Sequence, residues 1–272
     1  MSDFAGWQPP PGVDVNVPSA ARIYDYSLGG AHNTAADRAA AEELFRVYPD
    51  APLVGRANRA FLQRAVRFCY QQGITQFLDL GSGIPTVGNV HEAAHELDPG
   101  CRVVYVDNEP VAVAHTLQLL ESVPNATIVQ ADIRDVDAVL NAPQTRELLD
   151  FSKPVALMMV AVLHYLSPYD DPGGLVARYT SALAPGSLLA ISHTTEDPRP
   201  EVAAAIRAVF DKTPTPVTHR TREEVTALFN GLELVEPGVG WTPQWRPDDP
   251  SEPLYDAPER SATFAGVARI PG

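Results

Sequence analysis

The spacing of apolar residues changes near residue 75. From about Ser19 to Gln72 the spacing is helical. Ala35–Val47 is built of alanine, glutamate and leucine, and Asn58–Tyr70 places Phe61, Leu62, Ala65, Val66 and Cys69 at i, i+3 and i+4. Ser19 with Arg22 three residues on offers a helix cap without the acid of a capping box. After residue 75, short apolar runs alternate with helical ones. Strands are predicted at Gln76–Leu80, Arg102–Val106, Ala126–Gln130, Val155–Val160, Ser187–His193, Leu232–Val235 and Thr263–Ala268. Helices are predicted at Asn89–Glu96, Pro110–Leu120, Gly173–Leu183, Pro200–Phe210 and Glu223–Phe229, with helical pieces between Asp135 and Leu149. Val155–Val160 is apolar throughout, the mark of a strand buried on both faces. Repeated strand–helix units predict an α/β fold: a mostly parallel sheet of seven strands with helices on both faces and an antiparallel member in the last pair. Pro237–Pro258, with Trp241 and Trp245, reads as a long irregular loop, and no internal repeat is visible. The expected regions are a flexible arm over Met1–Pro18, an N-terminal helical extension over 19–72, and the sheet domain over 73–272.

With 272 residues, 45% of them hydrophobic, the chain suffices for one large α/β domain with such an extension. Its formal net charge of −14 argues against a nucleic-acid partner, because phosphate binding needs a basic footprint. Two cysteines, Cys69 and Cys101, suggest neither a disulfide framework nor a thiolate metal site. Met1–Pro18 lacks the basic-then-apolar pattern of a signal peptide. No apolar run approaches the roughly 18 residues of a membrane span. These features predict a cytoplasmic protein that does not engage membranes.

Chemistry concentrates at the ends of the predicted strands, where ligands of parallel sheets bind. Phe77-Leu78-Asp79-Leu80-Gly81-Ser82-Gly83 reads as a buried strand breaking into a tight glycine turn that lets backbone approach a ligand closely. Asp107 closes the second strand, 24 residues after Gly83, where an acid accepts hydrogen bonds from ribose hydroxyls. Asn108 follows it. Beyond the third strand come Asp132 and Ile133, an acid for an exocyclic amine and an apolar side chain for an adenine face. The fourth strand ends in Ala161–His164. A dinucleotide fingerprint would need a third glycine, and Thr86 stands there after Pro85. An adenosine ligand without phosphates fits better, and S-adenosylmethionine is such a ligand.

His91-Glu92-Ala93-Ala94-His95 matches the zinc-peptidase string His-Glu-x-x-His. The extended form of that motif would need glycine at Asp98 and histidine at Cys101, and Asp98-Pro99-Gly100 ends the helix within a turn. No metal site is expected.

The strand-end constellation over Gln76–His193 resembles the class I S-adenosylmethionine-dependent methyltransferases, a Rossmann-like fold. A narrower likeness runs from about Pro18 to Arg269. Tyr24-Asp25-Tyr26-Ser27-Leu28-Gly29-Gly30-Ala31-His32-Asn33 followed by Asp37, Arg56-Ala57-Asn58-Arg59, Asn89-Val90-His91-Glu92, Tyr105-Val106-Asp107-Asn108, Val160-Ala161-Val162-Leu163-His164 and Pro185-Gly186-Ser187 are similar to an actinobacterial family, first described as a domain of unknown function and later named S-adenosyl methyltransferase. The resemblance implies S-adenosylmethionine as cofactor, with Asp79, Gly81, Ser82 and Gly83 around its methionine half, Asp107 and Asn108 at the ribose, and Asp132 with Ile133 at the adenine. It implies no particular acceptor. Tyr24–Asn33 is expected over the pocket as a helical lid, turned sharply by Gly29-Gly30, with Tyr24, Tyr26, Gly30 or Asn33 reaching the site.

Methyl transfer from a sulfonium is an in-line displacement, so alignment and exclusion of water are the protein's main tasks. His164 is the candidate general base or substrate orienter, with His193 and Tyr26 as weaker candidates. The acceptor is expected to be a small molecule. The oligomeric state is not encoded in any feature of the chain. Each candidate has a plainer reading: Asp107 and Asp132 as helix caps, His164 and His193 as hydrogen-bonded core residues, Tyr24 and Tyr26 as helix packing. Two other functional classes compete. One is a non-catalytic binder of S-adenosylmethionine or S-adenosylhomocysteine, which would bind without turnover. The other is a nicotinamide-dependent oxidoreductase, which the missing third glycine disfavours.

Overall fold

The computed structural model describes Pro10, residues 13–197 and residues 199–272. Most of the arm expected over Met1–Pro18 therefore lies outside the described residues. Three helices come first: α1 (Ala20–Ser27), α2 (Ala35–Val47) and α3 (Ala51–Gln71). Thr34 caps α2 in a full capping box with Asp37, the Thr34 side chain taking the Asp37 N–H and the Asp37 carboxylate taking the Thr34 N–H. Ser19 precedes α1 but makes no side-chain cap; its N–H goes to the Asp37 carboxylate at 2.9 Å.

The alternating region follows as β1 (Gln76–Leu80), α4 (Val90–His95), β2 (Arg102–Asp107), α5 (Pro110–Leu120), β3 (Ala126–Gln130), α6 (Val136–Asn141), α7 (Pro143–Leu148), β4 (Ala156–Val160), α8 (Pro172–Ser181), β5 (Leu188–Thr194), α9 (Pro200–Phe210) and α10 (Arg222–Ala227). Three strands close the chain: β6 (Glu233–Leu234), β7 (Gly240–Trp241) and β8 (Thr263–Arg269). The order is β3-β2-β1-β4-β5-β8-β6, with β7 also paired to β8. β1 to β5 are mutually parallel, whereas β8 runs antiparallel to β5, β6 and β7. All seven expected strands are present, and the two-residue β7 makes an eighth.

Alternation along the strands separates two cores. Phe77, Val103, Tyr105, Ala156 and Met158 pack with α3, α4 and α5 residues such as Phe61, Val66, Ala94 and Val113. Leu78, Leu80, Val104, Leu157 and Met159 pack with α6, α8 and α10 residues such as Val139, Tyr179 and Val225. A third cluster joins Ile23 of α1 and Leu44 of α2 to Val209 and Phe210 of α9. The stretch 237–258, expected as an irregular loop, is anchored at its centre. Trp245 is fully buried, edge-on to Phe61 and Phe68, and Arg64 donates to the Trp245 and Thr242 carbonyls at 2.9 and 2.7 Å. Among the described residues no helix is long and apolar enough to cross a membrane.

Candidate functional site

The strand order reverses between β1 and β4, the switch point at which parallel sheets open a crevice beyond their carboxyl ends. A cavity of about 240 Å³ lies there, somewhat below the roughly 300–1,000 Å³ common for small-molecule sites. Its floor is the turn after β1. Gly81 and Gly83 have φ of +70° and +66°, and a Cβ on Gly81 would sit 2.2 Å from Cγ2 of Val162 beyond β4. Only glycine fits such a crossing without displacing the neighbouring strand end.

The N–H groups of this turn already have partners. Those of Gly81 and Ser82 donate to the Val106 carbonyl at 2.8 and 3.2 Å, and that of Gly83 to Oδ2 of Asp107 at 2.7 Å. Thr86, in the third-glycine position, donates its hydroxyl to Asp25 at 2.9 Å. A phosphate cradle needs such donors free, so the turn does not suit a pyrophosphate.

Four carboxylates line the cavity, those of Asp79, Asp107, Glu109 and Asp132, and the three aspartates differ in state. Asp79 is 6% exposed and has no hydrogen-bond partner among the described residues; burial pushes its carboxyl up to about 7, against the pull of the Arg59 charge. Asp107 accepts from the N–H of Gly83 and, through Oδ1, from that of Glu109 at 2.8 Å; burial raises its pKa and those bonds oppose the rise. Asp132 sits at the mouth and is held low by hydrogen bonds from the Arg134 guanidinium, which also reaches Asp170. Ile133 is buried beside it, and Tyr179 donates to its carbonyl at 2.8 Å.

The N-terminal helices form one wall. Ser19, Ala20, Ala21 and Tyr24 of the α1 region and Asn58, Arg59 and Leu62 of α3 all face the cavity. A polar chain fixes this wall to the sheet. The Tyr24 hydroxyl accepts from Asn58 Nδ2 at 3.1 Å and donates to the Gly55 carbonyl at 3.2 Å. Asn58 Oδ1 accepts from the Ser192 hydroxyl at 2.6 Å, and Ser192 Oγ in turn accepts the Ala161 N–H at 2.9 Å. Ala161 has a φ of +58° at the end of β4, and that bond holds it in the left-handed region that a residue with a Cβ seldom adopts.

Tyr24, Asp79, Gly81, Ser82, Gly83, Asp107, Asn108, Asp132 and Ile133 thus surround one cavity, and five other candidates lie outside its lining. Asn33 donates to the Asp25 carboxylate at 2.9 Å, and Gly30 is packed so closely on Asp25 that a Cβ there would lie 1.9 Å from Oδ1. Tyr26 stacks on Phe45 and reaches Glu42, away from the cavity. His164 and His193 are buried in the core. Both were expected at the pocket because they stand at the ends of adjacent central strands. Instead Leu163–Tyr165 forms a 3₁₀ turn, whose period of three puts Val162 and Tyr165 on the cavity side and sends His164 inward. Burial holds the His164 imidazole well below its usual range, and Nδ1 has no partner. His193 bonds the Thr194 carbonyl through Nδ1 and meets Arg220 at Nε2, 2.6 Å away, and burial lowers its pKa to about 3.

The sequence reading passed over Asn58, Arg59, Tyr165 and Arg134 as site residues. The stretch Arg56–Arg59 was visible as a family-like string, but nothing in helical spacing says which face of α3 meets the sheet's carboxyl end. In the His-Glu-x-x-His string, His91 Nδ1 faces the Tyr105 hydroxyl at 2.7 Å, His95 Nε2 faces the Cys101 carbonyl at 2.9 Å, and Glu92 takes the Asn89 N–H.

Residues 7–271 match the model of a family described as S-adenosyl methyltransferase. The chain is similar to a protein of known crystal structure from Thermobifida fusca, named as a candidate methyltransferase, with 42% identity and a TM-score of 0.90 over 97% of this chain and 99% of the other. It is also similar to a DUF574 family protein from Streptomyces avermitilis, with 37% identity and a TM-score of 0.90 over 95% of this chain and 99% of the other. A more distant likeness, to TnmH, has 19% identity and a TM-score of 0.51 over 81% of this chain and 57% of the other, and concerns the fold alone. No curated protein matches the chain.

Proposed function

Because the chain belongs to the S-adenosyl methyltransferase family, we propose that it transfers a methyl group from S-adenosylmethionine to a small-molecule acceptor. The fold is the Rossmann-like class I methyltransferase arrangement, and S-adenosylmethionine is the family's cofactor. The observation that carries the reading is the donor and acceptor set of the cavity. It offers carboxylates at the glycine turn, at the end of β2 and after β3, while every N–H of the turn is already engaged. That set suits a nucleoside with a charged tail and no phosphate.

On this reading Asp79 would take the ammonium of the methionine half, Asp107 the ribose hydroxyls through its remaining lone pairs, and Asp132 with Ile133 the adenine. The bound cofactor supplies a methyl carbon already activated by its sulfonium. The chain's residues then align the acceptor and keep out water. Tyr24, Tyr165, Leu166 and Pro214 provide the apolar surface for that alignment, since they line the cavity beyond the residues assigned to the nucleoside. His164 and His193 take no part in the proposal. Residues 19–72 act as the lid, with 73–272 as the methyltransferase domain.

Calorimetric titration with S-adenosylmethionine and S-adenosylhomocysteine tests the cofactor site. Both should bind, and Asp107→Ala should weaken both at least tenfold, by roughly the value of a hydrogen bond to a charged group. Absence of binding by the folded wild type would end the reading. Transfer of a labelled methyl group into metabolites of a cell extract tests catalysis, and binding without any transfer would leave a sensor instead.

A further inference from the structure

Arg59 is an unusual neighbour for Asp79. It lines the same cavity, and its charge is near enough to oppose the burial that raises the Asp79 pKa, yet no ion pair joins the two. Its Nε is shut off from solvent without a hydrogen-bond partner, and its guanidinium lies 5.8 Å from the centroid of the Tyr24 ring. The hydroxyl of Ser82, in the glycine turn, is likewise buried and unpartnered. Leaving buried polar groups unpaired costs stability, and such groups in the lining of a cavity mark a place where a ligand completes them. A cation and an anion facing one space, each without a counter-ion, match a zwitterion.

We propose that Arg59 receives the α-carboxylate of the cofactor's methionine half, so that the cleft selects ligands with an amino-acid head over simple 5′-thioadenosines. The inference rests on the cofactor reading above and assigns to α3 a binding task that the glycine turn alone does not perform. Asp79 takes the ammonium, Arg59 takes the carboxylate in the paired geometry that guanidinium favours, and the Ser82 hydroxyl adds a donor. Arg134 is unsuited to the same task, because Asp132 and Asp170 already hold it.

A cycle that removes the carboxylate from the ligand and the guanidinium from the protein tests this. The ligands are S-adenosylhomocysteine and its decarboxylated analogue, in which a 3-aminopropyl group replaces the amino-acid tail. The proteins are the wild type and Arg59→Gln. Decarboxylation should weaken binding to the wild type roughly 10- to 100-fold, the range for a charge-assisted hydrogen bond. Arg59→Gln should weaken S-adenosylhomocysteine by a similar factor and lose nothing further on decarboxylation. Two losses that multiply, or a wild type indifferent to the carboxylate, would overturn the proposal. The wild-type comparison holds even where the variant fails to fold. A wild type that binds S-adenosylhomocysteine no better than 5′-methylthioadenosine, but binds both, would overturn the proposal and spare the adenosyl site. A wild type that binds neither would overturn both.

Discussion

The Thr86 hydroxyl donates to the Asp25 carboxylate at 2.9 Å, joining the segment that follows the glycine turn to the first helix. The other oxygen of Asp25 accepts from the His32 N–H at 3.0 Å and from Asn33 Nδ2 at 2.9 Å. Asp25 is 1% exposed; without it the Thr86 hydroxyl keeps only the Ile84 carbonyl at 3.3 Å, the Asn33 amide keeps only the Gly30 carbonyl at 3.0 Å, and the His32 N–H loses its bond to Oδ2. Asp25→Ala should destabilise the protein by roughly 2–4 kcal/mol. Gly30→Ala should also destabilise it, because the new Cβ would fall 1.9 Å from Asp25 Oδ1. In the Asp25→Ala background that clash is gone, and Gly30→Ala should cost little more. Denaturant titration of the two single variants and the double variant checks the cycle; additive losses would contradict the packing described.

Gly81 makes a second, separate prediction. Its φ of +70° and the 2.2 Å approach of Val162 to the missing Cβ forbid alanine on two independent grounds. Gly81→Ala should cost roughly 2–4 kcal/mol, combining left-handed strain with overpacking. Val162→Ala removes the Cγ2 contact but keeps its own Cβ 2.7 Å from the new methyl, so it relieves part of the overpacking and none of the left-handed strain. The double variant should therefore be more stable than the sum of the two losses predicts, but less stable than Val162→Ala alone. Thermal unfolding and S-adenosylhomocysteine affinity should move together, since both residues line the cavity. Intact affinity in a strongly destabilised Gly81→Ala would separate the turn from the ligand.

The sheet was legible because its strands announce themselves locally. An apolar run such as Val155–Val160 permits little besides a buried strand, and Asp79, Asp107 and Asp132 stand where successive strands end. What the sequence hid depends on partners far along the chain. Nothing near Asn33 signals that Asp25 and not a ligand will take its amide. Nothing in the proline-rich stretch before the last strand shows that Trp245 will be clamped between Phe61 and Phe68. His164 looks like a site residue because it follows the end of a central strand, and a single 3₁₀ turn gives the cavity Tyr165 in its place. Of the cavity-lining residues that were missed, Asn58 and Arg59 sit on α3, where periodicity identifies a buried face without saying what it is buried against.

Asp79, His193 and His219 pull stability in opposite directions with pH. Asp79 is pushed from 3.8 up to about 7, so between about pH 4 and 7 the fold binds its proton more tightly than the unfolded chain does. Its contribution to stability therefore falls as pH rises through that window. His193 and His219 are depressed from 6.5 to about 3 and about 4 by burial, so their contribution is complete above 6.5 and is lost as pH falls below it. Asp79→Asn removes only the first effect. The stability difference between wild type and Asp79→Asn should change steadily from pH 4 to 7 and level off on either side. Affinity for S-adenosylhomocysteine should rise with pH up to about 7 in the wild type, by up to about tenfold per unit, and stay flat in the variant. Parallel pH curves for the two proteins would show that Asp79 neither titrates in this range nor meets the ammonium.

Arg22 provides the last prediction, because its ion pairs span the boundary between the N-terminal helices and the sheet. It is 3% exposed and donates to Asp37 Oδ2 at 2.7 Å, to Glu109 Oε1 at 2.7 Å and to the Val17 carbonyl at 2.6 Å. The two carboxylates keep other partners without it. Glu109 still caps α5 through the Ala112 N–H, and Asp37 still accepts from Thr34 and Ser19. Replacing Arg22 thus leaves neither acid bare, whereas replacing Asp37 leaves a buried guanidinium with one fewer counter-charge and removes the capping box of α2. Asp37→Ala should cost roughly 3–5 kcal/mol, the usual loss when one partner of a buried pair is deleted, and Arg22→Met clearly less. Affinity should show the opposite ranking per unit of stability. Arg22 follows directly on Ser19, Ala20 and Ala21, which line the cavity, and it ties them to Glu109, which lines the cavity just past β2. Arg22→Met should weaken S-adenosylhomocysteine binding even at temperatures where the variant is fully folded. Full affinity in folded Arg22→Met would mean that the first helix covers the cavity without help from this bridge.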